Sequence, residues 1–241
     1  MSRLPQLSVP TYDLVLPISK KKVKFRPFLV KEQKVLLMAM ESEDKDTIEK
    51  AIRQILNNCT ITEIEVDTIP IIDIEFYFLN LRARSIGEIV ELKYKCENEV
   101  DTKICGHTMD TSVNLLEIKI EEYKENFDVI KLSDTVGIKM KYPVFSVVDN
   151  LKDIKSSSDV GFELIANCVE YIYEGDNFIY SNEFTKEELL DFLDKLNSQQ
   201  FEKIEAYFEN LPELKHTIEF KCAKCGFDHK ISLQGIESFF E

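Results

Sequence analysis

Between residues 12 and 25 apolar and polar positions alternate. Tyr12, Leu14 and Leu16 share one side of a short strand, Val23 and Phe25 lie in a partner strand, and Ile18–Lys22 makes the turn between them. Pro27 ends the pair, and the period changes. From Leu29 to Met40, Leu29, Leu36, Leu37 and Met40 fit one face of a helix. Lys45–Asn58 predicts a second helix, with Ile48, Ala51, Ile52, Ile55 and Leu56 inward. Ile71–Ala83 predicts a third that is apolar on more than one side, the mark of a buried central helix, closed by Gly87. Period two returns at Glu88–Lys95, with Thr108–Leu115 as the answering strand, and two shorter strands are expected at Val129–Leu132 and Val136–Met140.

The second half reads as mostly helical. A helical stretch runs from Pro143 to about Asp153. Ser156–Ser158 caps a helix from Asp159 to Tyr173 that buries Phe162, Ile165, Ala166 and Val169. Phe178–Tyr180 is a short strand. Thr185 and Glu188 form a capping box for a helix through Leu196, and Gln199–Glu209 is the next helix. His216–Lys221 and Phe227–Leu233 form a closing hairpin, and the tail GIESFFE is a last helical turn or a tether.

Two of these hairpins share a layout. In LKYKC…CGHTMDTSVNL (residues 92–115) and IEFKC..CGFDHKISL (residues 218–233), an alternating strand leads to a Cys, then a second Cys followed by Gly, then another strand. Cys222-Ala-Lys-Cys225-Gly226 is a C-x-x-C-G knuckle. Its turn aims both sulfurs inward, and the glycine permits the left-handed backbone the turn needs. Cys96 and Cys105, followed by Gly106, offer a second pair at wider spacing. Together the four thiolates would complete one tetrahedral zinc site that clasps the middle of the chain to its end, structural because no ligand position stays open. A redox pair at Cys222/Cys225 and four unmetallated buried thiols are the competing readings, and His107 or His229 can replace one Cys, although each also fits a surface imidazole on a hairpin. Cys59 and Cys168 read as core residues.

Charge narrows the function. The formal net charge is −14 over 241 residues, yet residues 1–34 hold eight Lys/Arg against only Asp13 and Glu32, a net +6 that leaves −20 on the remainder. So acidic a body repels phosphate backbones, which disfavours nucleic acid as a partner. The ribbon-like segments add no basic footprint. No apolar run approaches the roughly 20 residues of a membrane helix, and the proline-broken N-terminus lacks a signal-peptide pattern. A reducing cytoplasm is therefore the expected compartment, and disulfides are not expected. Phosphate-binding loops, dinucleotide fingerprints, metalloprotease helices and nucleophile elbows are all missing from the sequence, and of its three histidines two sit beside the cysteines. No enzyme and no small-molecule substrate are expected. Arg82 and Arg84 in LRARSIGE can grip a partner carboxylate or pair within the acidic body, and Phe239-Phe240 can pack at home or dock elsewhere.

The run Leu4-Pro5-x-Leu7-x-x-Pro10-x-Tyr12, the strings FRPFLVKE (25–32) and LLMA (36–39), LRARSIGE (81–88) and CAKCGF (222–227) resemble the baseplate hub assembly proteins of T4-like contractile-tailed phages. The resemblance implies a structural or assembly role in the central hub, other phage baseplate hub proteins as partners, and a life in the host bacterial cytoplasm during assembly or in the virion tail baseplate. Exposed strings such as PFLVKE would then be contacts. The alternative is a zinc-ribbon regulator that binds nucleic acid or RNA polymerase. The expected fold is α+β, helical clusters joined by a split zinc-ribbon-like pair of β-hairpins. Residues 1–87 form an N-terminal hairpin and helical region, 88–116 the first half of the ribbon-like module, 117–212 a mostly helical insertion, and 213–241 the second half with the tail.

Overall fold

The computed structural model describes residues 7–120, 127–151, 154 and 156–235. The fold is α+β, and the chain forms two compact units. One comprises residues 1–66, 72–121 and 213–241; the other comprises 67–71 and 122–212.

The first unit opens with strands β1 (Tyr12–Val15) and β2 (Lys22–Phe25), antiparallel with Tyr12 opposite Phe25. Their turn is pinned by a buried carboxylate. Asp73 accepts from the N–H groups of Ile18 and Ser19, each at 2.8 Å. Asp73 lies in the first turn of α3 (Ile71–Ser85), the expected central helix, which buries Ile74, Tyr77, Phe78, Leu79 and Leu81 almost completely. Helix α2 (Lys45–Cys59) starts where the Asp44 side chain accepts from the Thr47 N–H and buries Ala51, Ile52, Ile55 and Leu56, the face its pattern predicts.

Helix α1 (Val30–Glu41) is rotated from expectation. It buries Glu32, Leu36 and Ala39, while Leu29, Leu37 and Met38 are exposed. The cause is an ion pair. The Arg26 guanidinium donates to Glu32 Oε1 at 3.0 Å and also to the carbonyls of Pro27 and Asn58, so the carboxylate is drawn inward and two apolar residues turn out. The string PFLVKE divides accordingly: Pro27, Phe28 and Glu32 are buried, and Leu29, Val30 and Lys31 are exposed. The Arg84 guanidinium lies 5.1 Å over the Tyr12 ring.

Two longer hairpins complete this unit. Strands β3 (Ile89–Lys95) and β6 (Thr108–Asn114) pair antiparallel, with a short hairpin of β4 (Glu99–Val100) and β5 (Lys103–Ile104) between them. At the other end of the sequence β11 (Lys215–Lys221) pairs with β12 (Asp228–Gln234). One core joins them to the central helix: Leu79 and Ala83 of α3, Val113 of β6, Leu115, Ile118, Leu214 and Ile218 of β11.

In the second unit, β7 (Val129–Lys131), β8 (Val136–Met140), β9 (Val169–Glu174) and β10 (Asn177–Tyr180) form an antiparallel sheet in the order β10-β9-β8-β7. Helix α4 (Val147–Leu151) is shorter than the stretch expected from Pro143 to Asp153, the end of which lies outside the described residues. The helix expected to reach Tyr173 stops at Cys168: α5 spans Ser157–Cys168, and Val-Glu-Tyr-Ile-Tyr-Glu continues as β9. Alternating β-branched and aromatic residues favour extended backbone once strands flank them on both sides, and Ile172 pairs with Ile138 and Ile179. The capping box of Thr185 and Glu188 opens α6 (Lys186–Asp194), and Asn197 caps α7 (Ser198–Glu209). Leu189, Leu193, Ile204 and Tyr207 pack with Ile138, Met140, Ile165 and Val169 in one core.

Candidate metal centre

The four predicted cysteines meet. The sulfurs of Cys96, Cys105, Cys222 and Cys225 all lie within 4.8 Å of one another. Cys96 Sγ stands 3.6 Å from Cys225 Sγ, and Cys105 Sγ stands 3.9 Å from Cys222 Sγ. Four thiolates around Zn²⁺ at about 2.3 Å in a tetrahedron have sulfurs about 3.8 Å apart, so these separations suit such an ion. Cys59 and Cys168 are fully buried elsewhere, and burial pushes their thiols up to about 11 and about 12 respectively, as expected of core residues.

The two halves use one backbone plan. The Cys96 N–H donates to the His107 carbonyl and the Gly106 N–H to the Cys96 carbonyl. The Cys222 N–H donates likewise to Phe227, and the Gly226 N–H to Cys222. Gly106 and Gly226 have φ of +63° and +73°, values that cost a side chain dearly and glycine nothing. What differs is residues 99–104. The Cys105 N–H donates to the Asn98 carbonyl and shuts this segment into the β4–β5 hairpin, whose turn residues Asp101 and Thr102 both have positive φ. Deleting those residues would turn C-x₈-C into C-x₂-C, so the wide spacing is a tight knuckle with a hairpin set into it.

The electrostatics divide the thiols. The N–H of Phe227 donates to Cys225 and holds its thiol down to about 6. The Cys225 and Lys224 N–H groups lower Cys222 in the same way. Cys96 is pushed up to about 12 by burial and by its neighbouring sulfurs. Around the sulfurs are Asn98, with Nδ2 3.7 Å from Cys225 Sγ, and Lys224, whose Nζ donates to the Cys105 carbonyl. His229 is not a surface imidazole: it is 7% exposed, and Nε2 lies 3.1 Å from Cys96 Sγ. Strand alternation carried the signal, since His229 shares a face of β12 with Ile231 and Leu233. His107 stays partly exposed. The Phe239-Phe240 tail lies outside the described residues.

Sequence comparison sets this geometry in context. The family described as "T4 bacteriophage base plate protein" matches residues 9–241. The chain belongs to that family. It is also 23% identical over 231 residues to the baseplate hub assembly protein gp26 of Enterobacteria phage T4, spanning 95% of this chain and 98% of the relative. No solved structure matches. The protein therefore has a structural or assembly role in a phage baseplate. Among the described residues no helix is long and apolar enough to cross a membrane.

Proposed function

We propose that this chain is an assembly component of the central hub, working in the host cytoplasm through protein contacts and without chemistry of its own. Its end-to-end likeness to a hub assembly protein carries the reading. We further propose that Cys96, Cys105, Cys222 and Cys225 hold one structural zinc. The metal would close segments 88–116 and 213–241 into a split zinc-ribbon-like module with residues 117–212 inserted between the halves. The sulfur separations support this, and four protein ligands leave no position for a reacting water.

The contact face this reading favours is the outward side of α1, where Val30, Leu37 and Met38 are exposed beside Lys31 and Lys34. Apolar residues rimmed by lysines suit an apolar partner surface with an acidic rim. The test is affinity capture of the tagged chain from infected cells before lysis, with reciprocal capture from tagged hub proteins. Hub proteins recovered at fixed ratios, and lost with Leu37→Asp/Met38→Asp, support the reading. RNA polymerase subunits or nucleic acid recovered in their place overturn it.

A further inference from the structure

His229 is the polar side chain at the metal centre that a four-thiolate site leaves without a task. Its ring is held on three sides: Phe220 stacks on it at 5.4 Å, and Tyr94 and Phe227 meet it edge-on at 5.2 and 4.9 Å. Packing alone does not call for an imidazole here. From the second Cys onward the two halves correspond residue by residue, and the position four beyond Cys105 that matches His229 is Met109, also buried. The first half fills the site with an apolar thioether; the second adds a nitrogen, and that nitrogen faces Cys96 Sγ at 3.1 Å. A thiolate has no proton to give, so a nitrogen at this distance donates. Cys96 is fully buried, where an anionic sulfur most needs a donor. The sulfur of Cys225, 3.6 Å from it, receives a second side-chain N–H from Asn98.

We propose that His229 is an outer-sphere positioning residue of the metal centre: its Nε2–H donates to the Cys96 thiolate, fixes that sulfur's direction and offsets part of the charge of four thiolates on one divalent ion. This rests on the zinc reading above. Outer-sphere partners typically account for about 10–100-fold in metal affinity.

The test uses the full chain, purified with zinc. His229→Met gives the second half the residue the first half already carries, and His229→Gln keeps an N–H donor. Zinc affinity is measured by chelator competition, and the cobalt-substituted forms by absorption in the thiolate-to-metal region. His229→Met is expected to bind zinc about 10–100-fold more weakly with a shifted cobalt spectrum, and His229→Gln to recover part of both. If His229→Met does not fold, the comparison of His229→Gln with His229→Ala carries the same expectation. Affinities within twofold of the parent overturn the assignment. So does a zinc absorption-edge spectrum with three sulfurs and one nitrogen, since the imidazole is then a ligand. A parent that binds no zinc removes the metal reading itself, a failure distinct from one confined to the variants.

Discussion

Glu32 offers a sharp test of why α1 faces as it does. The carboxylate is 1% exposed and accepts from Arg26 Nη2 at 3.0 Å, Lys31 Nζ at 3.3 Å and the Leu29 N–H at 2.9 Å. Arg26 is itself largely covered, with its side chain 20% exposed. Glu32→Ala therefore leaves a poorly solvated guanidinium without its counter-charge. Breaking a buried pair costs about 3–5 kcal/mol, and the two carbonyls Arg26 keeps, of Pro27 and Asn58, place this case near the low end. Urea unfolding followed by circular dichroism reads it: at a slope of about 2–3 kcal/mol/M, the midpoint of the first unit falls by roughly 1–1.5 M at pH 7. Glu32→Met with Arg26→Met costs less than Glu32→Ala alone, because no charge is stranded. The pH dependence has a definite sign. Burial alone raises the Glu32 pKa, but Arg26, the Leu29 N–H and Lys31 outweigh it and hold the carboxyl below its ordinary 4.5. A depressed carboxyl contributes stability above its unfolded pKa and loses it as pH falls through the folded value. The parent's advantage over Glu32→Gln is thus full at pH 7 and shrinks below about pH 4.5. A midpoint shift for Glu32→Ala under about 0.3 M, or a Glu32→Gln difference unchanged at pH 3, refutes the argument.

Other consequences are as direct. Asp73→Ala strips the acceptor from two N–H groups at the β1–β2 turn, and a loss of about 2 kcal/mol, or roughly 4–8 °C in Tm, is expected by calorimetry. Gly226→Ala forces a side chain to φ +73° and destabilises the knuckle by about 1 kcal/mol; hydrogen exchange in β11 and β12 rises while α6 and α7 keep their protection. Chelation of zinc is expected to release the same strands together with β3 and β6, and exchange that rises in only one hairpin would contradict a shared ion. Leu37→Asp/Met38→Asp changes exposed positions only, so stability stays within about 0.5 kcal/mol while partner capture is lost.

Much of the fold was legible because it is local. Helix α2 carries its apolar residues at helical spacing behind an Asp cap, and α6 announces itself by its capping box. The meeting of the four cysteines was legible because a strand, a Cys and then a second Cys followed by glycine recur in both halves. The failures are non-local. The inward turn of α1 depends on Arg26, which lies outside the helix and whose side chain no periodicity registers. Strand β9 was read as helix because Phe162, Ile165, Ala166 and Val169 keep helical spacing up to the residue where the chain turns extended; β8 and β10 decide the outcome. His229 hid because a polar residue in a strand is read as outward, although it shares its face of the strand with Ile231 and Leu233, which turn inward.

The split between the two hairpins has a consequence in time. Cys105 and Cys222 are 117 positions apart, and Leu214 and Ile218 complete a core begun by Leu79 and Val113. A bacterial ribosome adding about 5–20 residues per second needs roughly 6–23 s to cover that interval. Throughout it the β3–β6 hairpin waits with Leu214, Ile218 and half of the four clustered cysteines missing, whereas nearly all of the second unit is made in one continuous stretch. During synthesis the inserted segment can therefore finish folding first, and the unit that begins the chain is the last to close.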